Sequence, residues 1–429
     1  MISRSMRLNR WSLCLVAAML AVGTLSLPSM AQTKITVWVG SQTNEMLAWL
    51  AGFQEAFNRA NPDIDLEIVN QGAVSAMRDK VITSSAAGVG PDLYTEGTNV
   101  LLMYVANGLA LPLDRFLDAS GDRADFLPDI LRDVTFGGQL YALPYMMRPI
   151  ADAYNLNLFE SAGAPLPNTW NEMVEVVRRL NRVDAEGNVQ VSGLGGSFSS
   201  GVNTIIRFQM LLEQLGTTMI EPGGTEVTMN TPEARRALEY MAEVFRAGVP
   251  DGRDRTVSHF LAGNVGVMHW VALGHPSWVD PVRSADLDQS SILVRRYVGP
   301  DAGRDSVHYL GSAYLINATS RHPEEAWRVL QALTSRESMK SALMAHGYEL
   351  PTRVSLFADP DLLSRPWAEE ALSVTTPPLS PFGANHVHFT QFRVEAGEIL
   401  TKAVQGEIPL PAALEEAERI SNGILRGLR

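Results

Sequence analysis

The strongest constraint on the fold of this chain is the alternation of strand and helix patterns after its first thirty residues. Residues 34–40 predict a buried strand ending at glycine, an apolar repeat at helical spacing runs through 46–57, and residues 64–69 alternate like a half-covered strand. A second helix pattern covers 74–87, and a short strand pattern covers 93–95. Successive strand and helix units build a parallel sheet covered by helices, so we predict an α/β fold. Such sheets bind ligands beyond the carboxyl ends of their strands.

The N-terminus predicts export. Three arginines within the first ten residues precede an apolar run at 11–27, and the small residues Ser29 and Ala31 follow it. This is the pattern of a secretory signal peptide. The apolar run is short for a membrane span, which needs about 20 residues. We therefore predict that residues 1–31 are cleaved after Ala31 and that the mature protein is periplasmic.

Charge and cysteine content exclude several classes of protein. The whole chain carries a net charge of −12, and removing the signal peptide makes it more acidic still. Its basic residues are dispersed, so we predict no nucleic-acid partner. The sole cysteine, Cys14, lies in the signal peptide, and the mature chain therefore has no thiol for a disulfide or for catalysis.

The sequence lacks the usual catalytic signatures. The segment 195–199 does not complete G-x-S-x-G, and no glycine-rich phosphate loop is present. His386 and His388 form the only close histidine pair, without the context of a zinc site. We predict that the protein is not an enzyme and uses no cofactor and no metal. A glycosidase is the catalytic alternative, because its two carboxylates are paired in space and not in sequence.

Several segments, in order and over nearly the whole mature chain, resemble the extracellular solute-binding proteins of ABC sugar importers, the family of the maltose-binding protein. The segments that carry the resemblance are 57–64, 87–93, 108–113, 138–145, 154–159, 162–172, 263–268, 311–317 and 323–333.

The resemblance implies two α/β lobes joined by a hinge, the periplasmic binding protein fold, with a carbohydrate in the cleft between the lobes. On the family layout, lobe one comprises residues 32–147 and 308–352, and lobe two comprises 148–307 and 353–429. The ligand shifts the hinge equilibrium toward the closed form, which docks on the permease subunits of an ABC importer. The resemblance also implies a monomer.

Sugars need aromatic platforms and side chains that exchange hydrogen bonds with hydroxyls. The family places such groups at strand ends and in crossing loops. In this sequence that selects Trp38, Ser41, Gln42, Glu96, Asn99, Tyr145, Arg148, Trp270, His275, Trp278, Gly311, Ser312, Tyr348 and Arg353.

Several of these predictions have structural alternatives. Trp38 could be a core residue, Glu96 a solvated loop acid, and Arg148 the partner of a nearby acid across the hinge. Arginine also suits a carboxylate or phosphate, and the segments 96–98 and 389–393 resemble the glycerol-3-phosphate-binding branch of the family. An anionic ligand, such as a polyol phosphate or a sugar that bears a uronate, is therefore the alternative to a neutral carbohydrate.

Overall fold

We describe a computed structural model, which covers residues 32–427 except 197–199, 222–223, 273–287, 347–348, 366–367, 376–378, 382–385 and 387. The predicted signal peptide therefore lies outside the described residues. Among these residues the strands are β1 (Thr33–Val39), β2 (Ile64–Asn70), β3 (Leu93–Gly97), β4 (Thr135–Phe136), β5 (Gln139–Leu140), β6 (Leu143–Asn155), β7 (Arg182–Val183), β8 (Val189–Gly195), β9 (Val265–Ala272), β10 (Ile292–Arg295), β11 (His308–Ile316) and β12 (Ser380–Pro381).

The α-helices of the same residues are α1 (Asn44–Ala60), α2 (Val74–Ala86), α3 (Leu101–Ala106), α4 (Asp114–Ser120), α5 (Pro128–Asp133), α6 (Leu156–Ala162), α7 (Trp170–Leu180), α8 (Gly201–Gln214), α9 (Pro232–Gly248), α10 (Val257–Leu261), α11 (Pro323–Leu333), α12 (Arg336–His346), α13 (Pro360–Leu363), α14 (Ala368–Val374), α15 (Phe389–Val404) and α16 (Leu410–Leu425). Within the described ranges, none of the helices is both long enough and apolar enough to cross a membrane.

The described strands other than β4 and β5 form one mixed sheet. Its path runs β2, β1, β3, β11, β6, β9, β8 and β7, with β10 added on β6 and β12 on β11. β1 pairs in parallel with β2 and with β3, as the strand and helix alternation predicts. β11 is antiparallel to both β3 and β6, so the sheet as a whole is mixed and not parallel throughout. β11 comes from late in the chain and runs antiparallel to β3. The strand and helix pattern of the first hundred residues therefore does not predict it.

Strands β6 and β11 connect the two halves of the sheet. The first part of β6 pairs with β11, and its later residues pair with β9. Every side chain of β6 is buried except that of Arg148, which is partly exposed. Strand β6 is thus covered on both faces, and its one partly exposed side chain is charged.

Buried apolar side chains form two large clusters on either side of this connection. The first joins β1 and β3 with helices that include α1, α2 and α11, and the second joins α7, α8, α9, α15 and α16. Leu356 and Leu362 pack in the first cluster, although they follow the lobe boundary predicted at residue 352. The boundaries of the two lobes stay a prediction.

Close packing and capping fix the elements locally. Thr43 caps α1 by accepting a hydrogen bond from the Met46 amide at 3.3 Å. Strand β8 lies so close to α7 that a Cβ on Gly193 would be 1.7 Å from the carbonyl oxygen of Val177. Only glycine allows this approach of strand and helix.

Candidate functional site

A cavity of about 470 Å³ opens beside the carboxyl ends of β1 and β3. Because these strands pair in parallel, their carboxyl ends lie at one edge of the sheet, where α/β sheets bind ligands. We call this cavity the cleft. Its described lining residues are Gly40, Ser41, Gln42, Thr43, Val74, Arg78, Thr95, Glu96, Gly97, Asn99, Val100, Tyr145, Met146, Arg148, Leu310, Gly311, Ser312, Glu349 and Arg393.

The cleft brings together most of the described residues that the sequence selects. Those that line it are Ser41, Gln42, Glu96, Asn99, Tyr145, Arg148, Gly311 and Ser312. Their contacts with a ligand stay a prediction. Predictions that fall outside the described residues concern His275, Trp278, Tyr348 and the side chain of Trp270.

Two of the selected residues lie away from the cleft lining. Trp38 packs against the first hydrophobic cluster, in agreement with the alternative that it is a core residue. The buried side chain of Arg353 reaches Asp125 at 3.0 Å and Asp122 at 3.2 Å. Its Nε donates to the Thr334 carbonyl at 2.7 Å. Arg353 therefore links separate segments of the protein, and its donors are used in ion pairs and a hydrogen bond within the fold.

Glu96 is buried and fully engaged by the protein itself. Its carboxylate accepts from Arg78 Nε at 2.9 Å and Nη2 at 3.1 Å, from the Tyr104 hydroxyl at 2.9 Å and from the Gly97 amide at 3.0 Å. Burial raises the pKa of the Tyr104 phenol, and the neighbouring Glu96 charge adds to the effect, so this hydroxyl stays a donor. Glu96 thus orients Arg78 toward the cleft and is not a solvated loop acid.

Sequence reasoning missed Arg78. It lies on α2, one turn after the residue that begins the helix, and α2 starts beside the carboxyl end of β1. Burial acts to lower the pKa of Arg78, but the hydrogen bonds and charge of Glu96 outweigh it and the pKa is raised. The sequence contained one signal for Arg78. It is a cation in the early turns of a helix that follows a strand of a parallel sheet.

Arg148 is paired with an acid, which is the alternative that the sequence analysis gives for this residue. Its Nε lies 3.2 Å from Oε1 of Glu349, whose side chain is 3% exposed. The two groups form an ion pair, although this Nε has no aligned hydrogen-bond acceptor. Burial lowers the pKa of the nearby Arg365 to about 10, and the Glu349 charge opposes that shift. Glu349 therefore holds Arg148 at the cleft wall and is itself flanked by a second cation.

Tyr145 supplies the aromatic group of the described cleft wall. Its ring lies against Tyr314 with centroids 4.5 Å apart, and the side chains of Gln42 and Ser312 lie near its hydroxyl. Burial raises the pKa of Tyr145 to about 12, so the phenol is neutral at physiological pH. One edge of this side chain therefore packs in the core while its polar end joins the cleft network.

Gly311 lines the cleft, and its missing side chain also has a role within the protein. A Cβ at this position would lie 2.8 Å from Cγ2 of Thr98. The missing side chain thus makes room for Thr98 within the protein.

Backbone strain lies next to the cleft. Ser41 has φ 51°, the single positive φ outside glycine among the described residues. Its Oγ accepts from the Val74 amide at 3.0 Å, and its own amide donates to the Gly72 carbonyl at 2.7 Å. Holding a serine in this region costs on the order of 1–3 kcal/mol, and such strain concentrates at functional sites.

The cleft presents amide, hydroxyl and guanidinium groups but lacks an obvious catalytic arrangement among its described residues. Its two carboxylates, Glu96 and Glu349, are both engaged by arginines. His386 and His388 lie side by side, but a ring nitrogen of each is used within the protein: His386 Nε2 contacts the Gly224 carbonyl oxygen at 2.8 Å, and His388 Nδ1 contacts Gln391 at 2.9 Å. Across the described ranges, no group of three or more potential ligand side chains is arranged to hold a metal ion.

Comparison with known proteins gives one consistent family. The sequence model described as "Bacterial extracellular solute-binding protein" matches residues 40–340. A mannitol-binding protein of Pseudomonas aeruginosa is 24% identical over 432 residues, which cover 94% of this chain and 96% of the relative. The putative binding protein BAB2_0491 of Brucella abortus is also 24% identical, over 77% of this chain and 79% of its own length.

Solved structures show the same fold. The sugar-binding protein MalE of Xanthomonas citri aligns with a TM-score of 0.78 at 18% identity, over 92% of this chain and 98% of its own. A solute-binding protein from Agrobacterium radiobacter in complex with ribitol aligns with a TM-score of 0.72 at 20% identity, over 92% and 99% of the two chains.

Proposed function

This chain belongs to the bacterial extracellular solute-binding protein family and has the α/β fold of periplasmic binding proteins, and on that premise we propose that it binds a sugar or polyol in the cleft. The family is non-enzymatic, in agreement with the prediction that the protein makes and breaks no bonds.

The observation that supports this ligand class most is the polar lining of the cleft. Its hydroxyl and amide groups come from several separate elements, with Ser41 and Gln42 after β1, Asn99 after β3 and Ser312 on β11. A sugar or polyol presents hydroxyls in several directions at once, and groups that converge from different strands can meet them. The volume of about 470 Å³ is within the range of small-molecule sites.

The names of similar proteins agree with this proposal. The relative from Pseudomonas aeruginosa is named for mannitol, and the aligned structure from Agrobacterium radiobacter contains ribitol. Another aligned protein, from Thermotoga lettingae, was solved with tagatose at a TM-score of 0.71. All three compounds are rich in hydroxyls, as the proposed ligand class requires.

The transport role follows from the family. In this proposal residues 1–31 direct export and are removed, and lobes with the predicted boundaries close on the ligand. A ligand that contacts both lobes binds the closed form better and shifts the equilibrium toward it. The closed protein then delivers its ligand to the permease subunits of an ABC importer.

Thermal unfolding of residues 32–429 in the presence of hexoses, disaccharides, C5 and C6 polyols and the acidic derivatives of these compounds tests the proposal. A ligand at 100 times its dissociation constant adds about 2.7 kcal/mol to the free energy of unfolding. Unfolding entropy of about 2.1 cal/mol/K per residue makes this a rise in Tm of about 3 °C. Mass spectrometry of the recovered ligand checks that it is unchanged.

A matched pair of variants locates the site. Gln42→Ala removes an amide from the cleft, whereas Gln139→Ala changes an exposed amide on β5. We expect the first to reduce the shift in Tm and the second to leave it unchanged. If none of the sugars, polyols or their acidic derivatives raised Tm, or if the ligand were consumed, the proposed function would be wrong.

A further inference from the structure

The cleft contains a cation that the described residues leave without an ion pair and without an acceptor for its Nε. Arg393, on α15, lines the cleft, and its Nε is buried without a hydrogen-bond partner. Within the described residues Arg393 forms no ion pair. Burial lowers its pKa, and the charge of Arg78 lowers it further. Arg393 is partly exposed, but burying its Nε without an acceptor is costly, and its presence in a binding cavity favours a partner from outside the chain.

The other charged side chains of the described cleft wall cancel one another. Arg78 is paired with Glu96 at 2.9 Å, and Arg148 is paired with Glu349 at 3.2 Å. Three arginines thus face two glutamates, and the excess positive charge belongs to Arg393. A neutral ligand would leave that charge uncompensated when it displaces water from the cleft.

Arg393 and Arg78 lie on helices that pack in different hydrophobic clusters. The neighbours of Arg393 on α15, Phe389 and Phe392, pack in the second cluster, whereas Met77 and Val81 on α2 pack in the first. The two arginines therefore line the cleft from helices of different clusters, and the charge of Arg78 lowers the pKa of Arg393. Like charges resist their approach, and an anion between them would turn that repulsion into two attractions.

From this arrangement we infer that the carbohydrate proposed above carries one anionic group, a carboxylate or a phosphate, which binds Arg393 and faces Arg78. A guanidinium presents a planar fork of donors that matches either group in a bidentate manner. The inference depends on the proposed function, because it specifies the chemistry of the ligand in the same cleft. An anionic group that contacts both arginines would bridge helices of the two clusters and so couple binding to closure.

Calorimetric titration of residues 32–429 with matched compounds tests this inference. Sorbitol, gluconate and sorbitol 6-phosphate, with the mannose and xylose equivalents of each, vary the charge at a constant carbon skeleton. We expect the acidic member of one series to bind at least 30-fold more tightly than its neutral parent. Its preference should shrink when sodium chloride is raised from about 20 to 300 mM, because salt screens partly exposed charges. Comparing the carboxylate with the phosphate identifies which anion is bound.

Three variants separate recognition from folding. Arg393→Met keeps an unbranched apolar side chain without the charge, Arg393→Lys keeps the charge without the fork, and Arg246→Met removes an exposed arginine of α9 as the control. We expect Arg393→Met to abolish the preference for the acid while leaving the Tm of the empty protein unchanged or raised. Arg393→Lys should be intermediate, and the control should match the unaltered protein.

The possible failures are distinguishable. A neutral sugar or polyol that binds as tightly as its acidic counterparts would overturn the inference and leave the proposed function intact, as would an Arg393→Met protein with an undiminished preference. A clear fall in the Tm of empty Arg393→Met would also overturn it, because it would show that the protein itself satisfies this cation. Absence of binding by every carbohydrate, neutral or acidic, would instead refute the proposed function.

Discussion

Replacement of Glu96 by glutamine should destabilise the protein strongly, because Glu96 is the internal partner of a cleft arginine. The carboxylate is 4% exposed and accepts four hydrogen bonds, two of them from Arg78. A glutamine offers one acceptor oxygen in place of two and leaves the Arg78 charge unpaired. Breaking a buried ion pair by removing one partner costs about 3–5 kcal/mol.

The size of this loss can be expressed as a change in Tm. At about 2.1 cal/mol/K per residue, the unfolding entropy of the mature chain is about 0.8 kcal/mol/K. A loss of about 3–5 kcal/mol therefore lowers Tm by roughly 4–6 °C. The Arg78 side chain keeps 17% exposure, so water relieves part of the unpaired charge and the lower end of this range is expected. Scanning calorimetry at pH 7 measures the change directly.

Two further variants decide whether charge pairing is the cause. Tyr104→Phe removes one hydrogen bond to the same carboxylate and should cost about 1.5–3 kcal/mol, less than Glu96→Gln. Adding Arg78→Met to Glu96→Gln removes the unpaired charge and should restore part of the lost stability. If Glu96→Gln changed Tm by less than 1 °C, or if the double variant were less stable than the single one, our account of this pair would be refuted.

Other parts of the structure give predictions of the same kind. Burial raises the pKa of Asp133 to about 7, above its unfolded value, so stability that is present below pH 4 is lost as pH rises toward 7. At 1.4 kcal/mol per pKa unit, this pH dependence is worth up to about 4 kcal/mol. Asp133→Asn should remove it, as measured by denaturation from pH 4 to 8. Gly193→Ala places a Cβ 1.7 Å from a backbone carbonyl oxygen and should lower the free energy of unfolding by more than about 4 kcal/mol or prevent folding. Gly52→Ala, in an open helical position, should instead raise the free energy of unfolding by about 0.5–1 kcal/mol in the same assay. Gly311→Ala should lower Tm and weaken ligand binding because its Cβ meets Thr98, and adding Thr98→Ala should recover both; a Gly311→Ala protein that binds and melts normally would contradict this explanation.

The local patterns of the sequence determined the elements at the amino end of the fold. Alternation and helical spacing depend on neighbours only a few positions apart, so they predict β1, β2 and β3 and the helices between them. Because parallel strands end at one edge, the same patterns place Ser41, Gln42 and Glu96 together. The ordered family segments extended the prediction to the whole fold, since they record spacing over the full chain.

Only the tertiary structure decided the partners of the charged residues and the direction of the returning strand. Arg78 and Glu96 are 18 positions apart, Arg148 and Glu349 are 201 apart, and no periodicity links residues at such separations. Arg353 resembles a ligand residue in the sequence but is satisfied by Asp122 and Asp125.

Trp38 and Gly311 show the same limit for packing. An aromatic residue in a strand can face the core or a ligand, and a glycine can accommodate a ligand or a neighbouring side chain. The neighbouring sequence does not distinguish these possibilities. The element that packs against the residue determines whether its position serves the core or a ligand. The fold class could thus be predicted from short-range patterns, whereas the charge balance of the cleft is a property of residues brought together from distant parts of the chain.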